Sequence, residues 1–277
     1  MGLKRNILYS GFLTTSLYFF QFITYPYVAR VLGVTNIGIC NYVQSLVQYF
    51  TLFSMLGIMT MGVREIAKCN GDKEKLHRVF SRLFTLNLSL TILVLIVFLI
   101  AIENIPQFEP YRKLLYIGIS QLFFNTFAVE WLFRGLEEFK YITIRTLFVR
   151  LGYVISIFLF VRSADDYVVY FIIYSSMIVA NGIINWSYSR SFVKFSFQPF
   201  STIQSYIRPL LYLGSQQILL SLYTTFNIIY LGMTCGDTEV GYYTTATKIE
   251  NIILALYSSF TLVMMPRISA LMATKSN

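Results

Sequence analysis

"AVEWLFRGLEEFKYITIRTLFVR", residues 128–150, leaves one apolar run, crosses a dense patch of charge and enters a second apolar run that still carries Arg150. Charge confined to a short connection between long apolar runs is the pattern of a hairpin joining two segments that face hydrocarbon rather than water. The composition around it agrees. Of 277 residues, 56% are hydrophobic, 17% aromatic and 13% charged, too few polar groups to clothe a soluble globule. Runs such as "LFTLNLSLTILVLIVFLIAI" (83–102) recur and reach the roughly 20 residues that cross a hydrocarbon core about 30 Å thick. The expectation is an all-α integral membrane protein of about eight transmembrane helices, near 7–29, 37–61, 83–102, 114–133, 143–161, 167–188, 207–232 and 241–265.

With the N-terminus in the cytoplasm, 16 of the 22 Lys and Arg fall on the cytoplasmic side. Arg30, Arg112, Lys113 and Arg162 fall on the other, and Arg150 and Lys248 lie within spans. The bias sets the orientation and accounts for the net charge of +9 without any nucleic acid. No short apolar core with a small-residue cleavage site opens the chain, so the first span reads as retained. Cys40, Cys69 and Cys235 are odd in number and far apart, which suggests apolar fillers rather than a disulfide framework or a zinc site. The longest basic connection, "REIAKCNGDKEKLHRVFSR" (64–82), is expected to lie as an amphipathic helix on the anionic inner leaflet, with His77 solvated at the interface.

Sliding the sequence against itself by 203 residues brings "LYSG" (8–11) onto "LYLG" (211–214), Ile37-Gly38 onto Val240-Gly241, and "VREIA" (63–67) onto "PRISA" (266–270) without a gap. The same offset superposes spans one and two on spans seven and eight. An even number of spans between equivalents implies a parallel repeat about an axis along the membrane normal, with a substrate site between the units. The expected domains are a six-helix lobe, 1–200, and the first two helices of a second lobe, 201–277. The second lobe then reads as incomplete, the front of a longer protein or a truncated chain.

Ionisable groups inside spans face a bundle interior, a cavity or one another. Counting about 1.5 Å per residue from Gly241, Lys248 lies roughly 10 Å deep and Glu250 near the midplane, on nearly opposite sides of the helix. Glu130, Arg134 and Glu138 form an i, i+4, i+8 row, either an interfacial ion-pair ladder or part of a transport path. Asn41, Gln44 and Gln48 make a polar stripe on span two, and Gln121 with Asn125 and Asn181 with Asn185 repeat the i, i+4 pattern. Such stripes serve interhelical hydrogen bonding or a hydrated interior. With no HExxH, phosphate loop, nucleophile elbow or CxxC, and with short connections, no enzyme, cofactor or metal is expected.

"EWLFRGLEEFKYITIRTLFVR" (130–150), with "YPYVARVLGVTNIGICNY" (25–42), "LGIMTMGVREIAK" (56–68) and "VGYYTTATKIENIILALYSSFTLVMMPRIS" (240–269), resembles the bacterial polysaccharide-export flippases of the multidrug/oligosaccharidyl-lipid/polysaccharide superfamily, those moving O-antigen or capsule repeat units. The resemblance implies two six-span lobes around a cationic cavity, alternating access, residence in the bacterial inner membrane and a substrate of undecaprenyl diphosphate carrying an oligosaccharide. It also implies membrane lipids, a polysaccharide polymerase and chain-length proteins as partners. Such proteins carry twelve or more spans, more than this chain holds. Arg30, Arg150 and Lys248 are the candidates to meet the diphosphate, since guanidinium and ammonium groups suit phosphate oxygens. Asn41, Gln44 and Gln48 would meet sugar hydroxyls, and Glu130 and Glu250 would orient those cations or carry coupling protons. The alternatives are a multidrug or cation antiporter of the same superfamily and a truncated product without transport.

Overall fold

A computed structural model of the chain describes residues 3–251, 253, 254 and 264, and the regular structure among them is helical. In chain order the helices are α1 (Leu3–Met55), α2 (Ile58–Ala67), α3 (Lys73–Asn104), α4 (Arg112–Phe127), α5 (Glu130–Gly135), α6 (Phe139–Phe160), α7 (Tyr167–Ser189), α8 (Phe200–Thr224) and α9 (Phe226–Thr234). Residues 237–251 form α10. Among the described residues, α3, α6 and Ala164–Ser189 are each long and apolar enough to cross a membrane, and a fourth crossing results if Phe19–Met55 and Ile58–Ala67 are one span bent by 40°. The outward face of α3 presents Ile92, Leu93, Ile96, Val97 and Ile100, each 49–58% exposed. An i, i+1, i+4, i+5, i+8 stripe of this size suits lipid and would be a liability in water.

The first seven expected segments fall on these helices, four of them redrawn, and part of the eighth lies outside the described residues. Spans one and two are fused in α1, which breaks at Gly33 (φ 75°, ψ 168°). Tyr25 and Asn41 both approach the Lys248 ammonium, at 4.1 Å from the ring centroid and 3.3 Å. A straight helix would hold them about 24 Å apart at 1.5 Å per residue, so the two halves of α1 fold back on each other at Gly33. Span four is interrupted at Val129, which adopts a left-handed φ of 35°, and span seven at Thr225.

A helix break strands backbone groups that hydrocarbon cannot satisfy, and at the α1–α2 and α4–α5 breaks amide side chains from neighbouring helices take them up. Between α1 and α2 the chain turns at Leu56 and Gly57, both with positive φ. The Gly57 amide donates to Gln217 Oε1 of α8 at 3.1 Å, and Asn87 Nδ2 of α3 donates to the Ser54 carbonyl at 3.0 Å. At the α4–α5 break, Asn185 Nδ2 of α7 donates to the Ala128 carbonyl while its Oδ1 accepts from Tyr141 Oη at 2.9 Å. Gln121 Nε2 donates to Ser175 Oγ at 2.8 Å, tying α4 to α7, where Gly182 lets the helices approach. Gln121 and Asn185 therefore serve interhelical bonding, the first of the two roles open to those stripes.

The break before α5 also carries Trp131, Leu132 and Phe133 into the interior, each 0% exposed. There Trp131 meets Phe80 at 5.4 Å, and Phe84 stacks on Trp186 at 4.6 Å, joining α3, α5 and α7 through aromatic faces. Gly62 of α2 admits the indole, since a methyl group there would lie 2.7 Å from it.

The segment 64–82 is not a separate surface helix. It comprises the end of α2, a turn through Asn70 and Gly71 with positive φ, and the first turns of α3, capped by Asp72, whose side chain accepts from the Lys75 amide at 3.0 Å. The turn residues end the amphipathic pattern, and the cap starts a new helix that runs unbroken for 32 residues. His77 is not merely solvated, because its Nδ1 accepts the Lys194 amide at 3.3 Å. Ser81 and Thr85, one and two turns on, accept the amides of Ser196 and Gln198 at 3.1 and 3.3 Å. The extended strap between α7 and α8 is thus laid along α3.

Positions 203 apart meet directly. Thr35 and Thr238 share a hydrogen bond of 3.0 Å, and Asn41 Nδ2 donates to Thr244 Oγ1 at 2.8 Å. A side chain at Gly38 would strike the carbonyl of Asp237, and one at Gly241 would strike that of Val34. These two clashes are the same contact read through the offset, the reciprocity of a two-fold related interface. Beside it Tyr111 Oη donates to Asp237 Oδ1 at 2.8 Å; burial raises the Asp237 carboxyl above the usual carboxylate range and this bond partly offsets it. The pairing of 63–67 with 266–270 lies partly outside the described residues.

Two outcomes test this packing. In a chain with its native cysteines replaced, Thr35→Cys with Thr238→Cys is expected to cross-link under mild oxidation, read as a mobility shift after cleavage in the 190–199 strap, and Gly38→Leu should suppress the cross-link. Asn185→Ala should lower stability by ~1–2 kcal/mol in a thermal melt in detergent, because it orphans the Ala128 carbonyl. Asn181→Ala should be nearly silent, since Asn181 Nδ2 bonds only the Met177 carbonyl of its own helix.

Candidate functional site

A cavity of about 380 Å³ lies where α1, α6, α7 and α10 converge, within the size range of ligand sites. Helical periodicity explains its wall. The second half of α1 contributes Asn41, Gln44, Ser45 and Gln48, and α10 contributes Thr244, Thr247, Lys248 and Asn251, each set on one face. Arg150 and Tyr153 come from α6, and Tyr170, Tyr174 and Met177 from α7. Tyr25 of the first half of α1 completes the wall beside Lys248.

Five residues expected from the sequence to meet a substrate therefore share one cavity: Asn41, Gln44, Gln48, Arg150 and Lys248. Lys248 Nζ sits 4.1 Å over the Tyr25 ring and donates to Asn41 Oδ1 at 3.3 Å. The other end of that amide is held by Thr244, and Tyr25 Oη shares a 2.7 Å hydrogen bond with Thr245. Both ends of the Asn41 amide are thus engaged within the protein. Gln44 Oε1 is a buried acceptor with no hydrogen-bond partner among the described residues. Exposure rises along the wall from Thr244, 3% exposed, to Gln48 and Asn251, both exposed.

The remaining candidates lie elsewhere. Arg30 is exposed and does not line the cavity. Glu250 lies on the exposed side of α10, two residues from Lys248, where helix geometry turns it away. Glu130 stands off the cavity, bonded by Arg134 at 2.7 Å and facing Arg145 of α6 at 3.8 Å. The expected row through Glu138 does not form, because α5 ends at Gly135 and the chain turns at Glu137 (φ 59°). Arg145, its side chain 6% exposed, takes the third place in the ion-pair cluster.

Sequence reasoning missed Tyr25, Tyr153, Tyr170, Tyr174 and the α10 stripe of Thr244, Thr247 and Asn251. The stripe carried a signal: adding 203 to 41, 44, 45 and 48 gives 244, 247, 248 and 251, all on the wall, and adding it to 25 gives Ile228, which also lines it. The tyrosines carried none that separates them from the chain's other aromatics, 21 Tyr and 25 Phe in all.

Two relatives, each bearing the name "Putative O-antigen transporter", match almost the whole of this chain. The one from Escherichia coli (strain K12) is 26% identical over 272 residues, 98% of this chain and 66% of the relative. The one from Shigella dysenteriae is 25% identical over 277 residues, 97% of this chain and 68% of the relative. The chain thus spans about two thirds of the length of these curated relatives. No solved structure matches it. A family model described as "Polysaccharide biosynthesis protein" matches residues 3–272, nearly the whole sequence, and the chain belongs to that family.

Proposed function

We propose that this protein is a flippase that moves an oligosaccharide repeat unit, carried on undecaprenyl diphosphate, from the cytoplasmic to the periplasmic leaflet of the bacterial inner membrane by alternating access. The observation that carries the proposal is the charge of the cavity: among the described lining residues, the ionised groups are Arg150 and Lys248, both cations. A diphosphate and sugars entering hydrocarbon unaided would lose hydration of charges and hydroxyls together, at prohibitive cost. A cleft with two cations and an unpartnered amide acceptor at Gln44 replaces part of that hydration. Relatives named as O-antigen transporters support the substrate class. An antiporter of drugs or cations would call for carboxylates on the wall instead. Polymerase and chain-length proteins are the proposed partners that receive the unit.

The 203-residue contacts support two units, 1–200 and 201–277, related by an axis through the Gly38–Gly241 crossing, with the cavity on that axis. The distribution of Lys and Arg supports an N-terminus in the cytoplasm, an orientation that sets this crossing at the periplasmic end. The rise in exposure toward Gln48 and Asn251 then supports loading from the cytoplasmic side.

The test is complementation in cells lacking the protein. Lys248→Ala and Arg150→Ala in the full-length protein should each reduce surface polysaccharide by about tenfold or more, the equivalent of ~1.4 kcal/mol or more of lost substrate binding. Normal surface polysaccharide in both variants, at normal protein levels, would remove the cations from the mechanism. Gln44→Ala is expected to have the smaller effect of one lost hydrogen bond.

A further inference from the structure

The frame around the cavity is two-fold in its backbone contacts but not in its chemistry. Among positions 203 apart that line it, 44 and 247 are both polar and uncharged, as are 48 and 251. Two pairs differ in kind, Tyr25 against Ile228 and Ser45 against Lys248, and between them Asn41 and Thr244, both neutral and polar, are bonded to each other. One member of each of these pairs, Tyr25, Asn41 and Lys248, meets at the ammonium site. Lys248 Nζ lies 4.1 Å over the Tyr25 ring and 3.3 Å from Asn41 Oδ1. Thr244, one turn before Lys248 on α10, receives Asn41 Nδ2 and so turns the amide oxygen toward the ammonium. Thr245 fixes the Tyr25 hydroxyl, leaving the ring face to the cation.

We infer that Tyr25, Asn41 and Lys248 form a single seat for a cation, in which Tyr25 and Asn41 are positioning residues that hold the ammonium at the axis and thereby set the cavity's selectivity for an anionic occupant. This deepens the proposed function and rests on its reading of the cavity as an anion site. An ammonium away from bulk water needs replacement partners, and an aromatic face and an amide oxygen supply them without neutralising its charge as a carboxylate would. A phosphate oxygen then finds a cation already desolvated and aimed, so less of its binding energy goes into ordering a flexible lysine. The seat also moves Asn41 from sugar recognition to support of the cation. The equivalent corner of the wall, with Ile228, Thr244 and Ser45, lacks both charge and ring, so anion recognition is one-sided in a two-sided frame.

The experiment titrates inorganic pyrophosphate into the purified full-length protein in lipid nanodiscs by calorimetry. Lys248→Met should weaken binding about tenfold or more; no change there would overturn the anion-site reading itself. With Lys248 in place, Tyr25→Leu and Asn41→Leu should each weaken it about three- to tenfold, whereas Tyr25→Phe, which keeps the ring, should stay within about twofold. Loss in Lys248→Met without loss in Tyr25→Leu or Asn41→Leu would sink the seat and leave the anion site standing. A gain-of-function arm separates positioning from general destabilisation. In a Lys248→Ser background, Ser45→Lys alone should restore little binding, and adding Ile228→Tyr with the exchange Asn41→Thr and Thr244→Asn should restore most of it. Full recovery by Ser45→Lys alone would show that the charge needs no seat. Asn41→Asp, which offers the ammonium a competing carboxylate, should weaken pyrophosphate binding with the fold intact.

Discussion

Hydrocarbon cannot hydrogen-bond a peptide group, so a chain that spans it must either stay helical or supply a partner for each group a break sets free. This protein breaks its helices repeatedly and supplies the partners from side chains. The Ser54 carbonyl goes to Asn87, the Gly57 amide to Gln217 and the Ala128 carbonyl to Asn185. In each case the donor or acceptor comes from a helix distant in sequence, so satisfying the break also locks two elements together. The breaks then do what straight spans could not. The turn at Val129 delivers Trp131 and Phe133 to the aromatic interior, and the fold-back at Gly33 brings both halves of α1 to the cavity.

The cavity itself combines two kinds of polar group. Glutamine, asparagine and threonine supply neutral hydrogen-bonding capacity on α1 and α10, while among the described lining residues charge is restricted to Arg150 and Lys248. Carboxylates are kept away from it, with Glu130 bound among arginines at the α4–α5 break and Glu250 on the opposite side of α10 from Lys248. Segregating the signs in this way keeps the cations from being neutralised internally, which a site for anions requires.

Much of this was legible in the sequence because hydrophobic length and helical spacing are strong signals. The apolar runs located the helices, and the i, i+3, i+7 spacing of Asn41, Gln44 and Gln48 put them on one face, which is the face the cavity uses. Depth picked out Lys248, and its distance of two residues from Glu250 separated their directions. The failures share a cause. The row through Glu138 and the surface helix at 64–82 assumed that periodicity continues through polar sequence, whereas left-handed residues at Glu137, Asn70 and Gly71 ended it. Arg145 is buried against Glu130, a tertiary contact that no local pattern announces. The wall tyrosines were invisible for the complementary reason, since an aromatic residue in a membrane helix is unremarkable until its neighbours are known.

The strap between α7 and α8 has a metric consequence. His77, Ser81 and Thr85 recur every four residues along a helix, a repeat of about 6.0 Å, while alternate amides of an extended chain recur about every 6.6 Å. The two rulers agree closely enough for three rungs and drift out of step soon after. Inserting or deleting one residue within the strap would turn the amides on one side of the change away from α3, because the extended chain alternates its faces. The connection between the two proposed lobes is therefore metered in units of two residues, and drift in its length is constrained by parity rather than by distance alone.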